Sequence, residues 1–101
     1  MKWVLNASES TVRRTLREAG YHQELGPQPN FSRRLRAGQA WPRFHLYIEA
    51  NEASRVLADL HLDQKAETRH YQAVKAHNAD YDGPLVEAEA TRINNFFQAK
   101  I

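Results

Sequence analysis

The stretch that decides the fold is Arg43-Phe44-His45-Leu46-Tyr47-Ile48-Glu49, together with Arg55-Val56-Leu57-Ala58-Asp59-Leu60-His61-Leu62-Asp63. In the first run Phe44, Leu46 and Ile48 alternate with His45, Tyr47 and Glu49. In the second Val56, Ala58, Leu60 and Leu62 alternate with Leu57, Asp59, His61 and Asp63. Period-two alternation is the pattern of antiparallel strands covered on one face only. The intervening stretch from Ala50 to Ser54 reads as a hairpin loop. A register that opposes odd residues to odd residues keeps every even, apolar residue on one face. A slip by one residue would bury the charges, so this register class is strongly favoured.

Outward from this hairpin, Asn6-Ala7-Ser8-Glu9 fits a capping box with Asn6 as N-cap. Val12, Leu16 and Ala19 recur at helical spacing, and Gly20 is a stop, so a helix is expected from about Ala7 to Ala19. Tyr21 to Leu25 suits a short extended piece, followed by a turn at Gly26-Pro27-Gln28-Pro29-Asn30. Phe31 to Arg36 reads as an edge strand whose charges discourage aggregation and whose exposed edge would permit a dimer. Ala66 to Ala76 suits a short helix, and Asn78 to Gly83 a loop. Beyond Asp82-Gly83, with Pro84 near the first helical position, Val86, Ala90, Ile93 and Phe97 form an apolar stripe. Glu87, Glu89 and Arg92 are expected to point away from it.

The expected fold is α+β. A helix, a two- to three-stranded antiparallel sheet and a second helix follow one another, with the helices packed on one sheet face. At 101 residues this is one domain, 1–101. A chain of this length buries roughly 65% of its unfolded surface, enough for one two-layer core. No apolar run approaches the ~20 residues of a membrane helix, so no membrane partner is expected. The start does not resemble a signal peptide. There is no cysteine, which excludes disulfide frameworks and thiolate metal sites. A bacterial-type cytoplasm is the simplest location.

The net charge of +2 hides an asymmetry. Residues 1–43 hold eight basic side chains against three acidic ones, and seven of the eight are arginine. Arginine's planar fork suits phosphate and carboxylate. Arg13, Arg14, Arg17, Arg33, Arg34, Arg36 and Arg43, with Lys65, are therefore candidate contacts to RNA or another nucleic acid. An acidic protein partner, bound by a pure interaction module, is the alternative use of the same charge.

The odd residues of the hairpin carry the candidate chemistry. His61 and Asp63 are two apart on one strand, so they share a face at about 6.5 Å. His45 on the neighbouring strand can join them. His45, His61, Asp63 and His77 form a candidate ligand set for a divalent ion, with zinc or manganese suited to imidazole and carboxylate donors. A metal-dependent hydrolase or phosphodiesterase is the corresponding activity. Without a metal, His45 or His61 would act as general acid or base on a phosphodiester, with Lys65 or an arginine steadying the phosphate. Cross-strand His–Asp pairing on a solvated sheet face, with no chemistry, also accounts for these residues. Trp3 and Trp41 suit either a nucleobase stack or a core-edge position.

Trp41-Pro42-Arg43-Phe44-His45-Leu46-Tyr47-Ile48, Leu60-His61-Leu62-Asp63-Gln64-Lys65 and Tyr81-Asp82-Gly83-Pro84-Leu85-Val86-Glu87 resemble segments of a family of small uncharacterised bacterial proteins, many from reduced-genome candidate phyla. The resemblance covers roughly residues 8–97 and implies a bacterial origin and a shared fold. A helix, three strands and a helix is also similar in order to double-stranded-RNA-binding domains and to HicA-type messenger-RNA interferases. The latter resemblance would make His45 the catalytic strand histidine.

Overall fold

A computed structural model describes residues 1–64, 79–80 and 82–98. The chain runs β1 (Lys2–Leu5), α1 (Glu9–Glu18), β2 (His22–Glu24), β3 (Asn30–Arg34), β4 (Arg43–Glu52), β5 (Arg55–Asp63), β6 (Ala79–Asp80) and α2 (Pro84–Gln98). Among the described residues five strands form the path β1-β5-β4-β3-β2 of one antiparallel sheet, which β6 joins as a sixth. The two-residue β6 lies against Leu62 and Asp63 of β5, on the edge that β1 occupies further along.

The expected sheet of two to three strands is therefore too small. β1 and β2 are short, and so show too little alternation to register in the sequence. Both gain their ladder bonds from neighbours already in place. β3 is consequently internal rather than an edge, and β2 forms that edge instead. The central hairpin has the expected register, with His45 opposite His61, Tyr47 opposite Asp59 and Glu49 opposite Leu57. Its strands run further than expected and turn tightly at Ala53-Ser54, with an irregularity between Ala50 and Glu52.

Because β1 extends through Leu5, Asn6 and Ala7 are spent on reversing the chain, and the N-cap moves to Ser8. The Ser8 hydroxyl accepts from the Thr11 amide at 3.3 Å, which satisfies one of the orphan donors of the first turn. Gly20, at φ +97°, ends α1 in a conformation that L side chains avoid. The expected helix at Ala66 to Ala76 lies outside the described residues.

Both helices cover the even face of the sheet. Val12 and Leu16 of α1 and Val86, Ala90 and Ile93 of α2 close over Phe31, Phe44, Leu46, Ile48, Val56, Leu60 and Leu62. Burying a side chain such as Phe31 or Ile93 contributes roughly 1.5–3 kcal/mol. Trp3 packs at the rim of this layer and donates from its indole N–H to Asn94 Oδ1 at 2.9 Å. Among the described residues no helix is long and apolar enough to cross a membrane.

Glu89 does not point away from the core but is buried in it. Its carboxylate accepts from Tyr21 Oη at 2.6 Å, from Arg33 at 3.1 and 2.9 Å, and from Arg92 at 2.9 Å. Arg92 also donates to the Ala19 carbonyl at 2.7 Å, at the end of α1. A buried carboxylate is tolerable only with such pairing, and here the pairing joins both helices to the sheet.

Candidate metal centre

The uncovered face of the sheet is ordered by register into transverse rows. His22, Ser32, His45 and His61 stand opposite one another across four strands. One row further, Glu24, Asn30, Tyr47 and Asp59 do the same. On the other side Arg34, Arg43 and Asp63 are aligned. The central row and its neighbours bring together the side chains that the hairpin alone only suggested.

Asp63 is the hub. Its Oδ2 lies 3.1 Å from His45 Nδ1 and its Oδ1 lies 3.1 Å from His61 Nε2. Both imidazoles are only 11% exposed and Asp63 is 18% exposed. One donor atom from each of His45, His61 and Asp63 falls within 4.8 Å of the others, so the group can hold a metal ion. Adjacent ligands on a tetrahedral ion with arms of roughly 2 Å are about 3.4 Å apart, close to the two contacts with Asp63. Burial by itself would raise the Asp63 carboxyl. The hydrogen bonds to His45 and His61 outweigh burial and hold it well below the usual carboxylate range.

Asn30 decides how His45 is presented. Its Nδ2 donates to the Gln28 carbonyl at 2.9 Å, which turns Oδ1 toward His45 Nε2 at 2.7 Å. A carbonyl oxygen can only accept, so Nε2 carries the proton of that bond. Nδ1 is then the nitrogen that faces Asp63. Two lone pairs at 3.1 Å repel, so a cation belongs between Nδ1 and Oδ2. It is either a second proton on the ring or a metal ion. Gly26 leaves room for this arrangement, because a Cβ there would stand 3.2 Å from Asn30 Nδ2.

Tyr47 stacks on His61 with ring centroids 5.6 Å apart and leans on His45 at 4.5 Å. Arg43 lies with its guanidinium 4.2 Å over the Trp41 ring, 3.7 Å from Asp63 Oδ2 and 3.9 Å from Glu24 Oε2. Glu24 accepts from the Ser32 hydroxyl at 2.6 Å. A cleft of about 360 Å³ opens beside these groups between the β2–β3 connection and β4. Arg43, His45, Tyr47 and Asn30 line it.

The fold thus brings His45, His61, Asp63 and Arg43 together. His77 and Lys65 lie outside the described residues. The other candidate arginines are distributed over both layers. Arg13 pairs with Glu9 on α1 at 2.7 Å, and Arg14 and Arg17 are exposed on the same helix. Arg33 turns to the helix side and is held by Glu89. Arg34 and Arg36 are exposed near the end of β3. Trp3 sits under α2, and Trp41 supports Arg43. Sequence reasoning missed Asn30, Ser32 and Glu24. Their polar character gave no signal until the pairing of β2, β3 and β4 set them beside His45. Comparison of the chain with protein-family models, with curated proteins and with solved structures gives no match.

Proposed function

We propose that this protein is a metal-dependent hydrolase with a mononuclear centre built from His45, His61 and Asp63. The observation that carries this reading is the Asn30–His45–Asp63 chain. Asn30 Oδ1 accepts from Nε2–H, so Nδ1 meets a carboxylate that calls for a cation between them. Metal-ligating histidines are commonly oriented by such an acceptor on their other nitrogen. Imidazole and carboxylate donors suit zinc or manganese. Three protein ligands leave a coordination position for water, which a bound ion activates as a nucleophile near neutral pH. The cleft lined by Arg43, His45 and Tyr47 adjoins the group on its His45 side.

Isothermal titration of untagged, metal-stripped protein with zinc and with manganese tests the centre. One ion bound per chain is expected, with loss of that binding in Asp63→Asn and His61→Ala. Absence of binding in the folded wild-type chain would remove the reading.

Nucleic-acid binding is a second proposal, favoured by the pairing of Arg34 with Arg43 on the same open face as the histidines. It predicts affinity for RNA at ~50 mM salt that weakens steeply as salt rises. A fluorescence-anisotropy titration over a salt series would measure this.

A further inference from the structure

Resting on the metal-centre reading, we infer that its substrate is a phosphodiester and that Arg43 is the residue that receives the phosphate. Arg43 is built into the site as a receptor. The Trp41 ring holds the guanidinium carbon 4.2 Å from its centroid in a cation–π contact. Its Nε is buried and makes no hydrogen bond among the described residues. The two flanking carboxylates, at 3.7 and 3.9 Å, hold it by charge and stand beyond hydrogen-bond distance. With Nε buried and the side chain 23% exposed, the terminal N–H groups are the donors left for an incoming oxyanion, and phosphate oxygens match such a pair of guanidinium donors in a bidentate manner. Arg43 and His45 line the same cleft and Arg43 Nε stands 3.7 Å from Asp63 Oδ2, so an anion on the arginine lies on the His45 side of the three-residue group.

Charge selects the diester. With Asp63 and Glu24 ionised, Arg43 cationic, both histidines neutral ligands and a divalent ion bound, the site carries one net positive charge. A phosphodiester brings one negative charge and balances it. A phosphomonoester dianion leaves one negative charge uncompensated beside two carboxylates. In the reaction, a water oxygen bonds to phosphorus and the ester P–O bond to one alcohol breaks. One proton of the water ends on the released alcohol and the other on the phosphomonoester product. The ion and Arg43 draw charge from the two non-bridging oxygens as the bond order changes.

The test uses the full chain loaded with manganese or zinc, with bis(p-nitrophenyl) phosphate and p-nitrophenyl phosphate as substrates. The diester is expected to be hydrolysed with a kcat/KM at least tenfold above that of the monoester. Arg43→Gln is expected to lower the diester kcat/KM about 100-fold, while titration still shows one bound ion. Should that variant fail to fold, Trp41→Ala, which removes only the stacking platform, is expected to raise KM for the diester severalfold. Broadening of the 31P resonance of dimethyl phosphate by the manganese-loaded wild type, reduced in the Arg43 or Trp41 variant, supports the assignment without turnover. An ion that binds while the monoester is preferred, or while neither dimethyl phosphate nor the diester responds to loss of Arg43 or Trp41, overturns it. Failure of the wild type to bind an ion at all identifies the metal-centre reading as the one that fell.

Discussion

His45 Nε2 stands 2.7 Å from Asn30 Oδ1, and the Asn30 amide is itself turned by the Gln28 carbonyl at 2.9 Å. A residue at the first position of β3 thereby chooses which nitrogen of a β4 histidine faces Asp63 of β5. The choice is made by backbone geometry two residues earlier, so the geometry of the candidate metal site depends on the β2–β3 connection as much as on the hairpin that carries His45, His61 and Asp63.

Asn30→Ala removes the acceptor and leaves a buried N–H without a partner. The expected result is a 10- to 100-fold weaker zinc or manganese affinity, in the range known for outer-shell partners. A stability cost of about 1–3 kcal/mol should accompany it. Titration calorimetry and urea unfolding measure the two effects separately. An unchanged affinity in a folded Asn30→Ala protein would show that His45 needs no orientation from this side.

How much of this was legible beforehand follows from how local each signal is. The alternation of Phe44, Leu46 and Ile48 with His45 and Tyr47 is written within one strand, and it fixed the hairpin register and the faces of His45, His61 and Asp63. The roles of Asn30, Ser32 and Glu24 depend on pairing between strands too short to display alternation. Glu89 misled for a related reason. A charge on a helix reads as solvated, and only the meeting of Tyr21, Arg33 and Arg92 makes its burial tolerable. Ser8 replaced Asn6 as N-cap because β1 occupies the preceding residues.

Glu89→Ala should be among the most damaging single substitutions away from the apolar core. It strands Arg33, Arg92 and the Tyr21 hydroxyl at the junction of α2, β3 and the end of α1. Removing one partner of a buried pair costs 3–5 kcal/mol when the other stays buried. Arg33 and Arg92 are 28% and 34% exposed and recover some hydration, so about 2–3 kcal/mol is expected here. Chemical denaturation of wild type and variant checks it, and a loss under ~1 kcal/mol would contradict the structural role.

Phe31→Ala empties the centre of the core, where Phe31 on β3 is fully buried. Loss of transfer energy plus the residual cavity should cost about 3–5 kcal/mol. The candidate site should suffer with it, because Asn30 and Ser32 flank Phe31 and stand on the face that carries His45. The melting temperature of the variant, and its metal affinity measured well below that temperature, separate packing from chemistry.

The pH dependence of stability should have two limbs with opposite causes. Burial acts to raise the Glu89 carboxyl, but hydrogen bonds from Arg92, Arg33 and Tyr21 outweigh it and hold the group below its ordinary value. Folding therefore favours ionised Glu89. Its contribution is complete above the unfolded value of about 4.3 and is lost as pH falls through the lower folded value. Asp63 is depressed likewise and adds to the same acid limb. Tyr21 is the reverse case. Burial first, and then the charge of Glu89, push its phenol well above the ordinary range. Its contribution is complete below about pH 10 and is lost as pH rises toward the folded value, because only the unfolded chain ionises readily there. Melting temperatures measured from pH 2 to 11 should fall below about pH 4 and above about pH 10. Glu89→Gln should shallow the acid limb without abolishing it, since Asp63 remains. Tyr21→Phe, which has no phenol to ionise, should flatten the alkaline limb; an alkaline limb unchanged in Tyr21→Phe would place that transition on other groups.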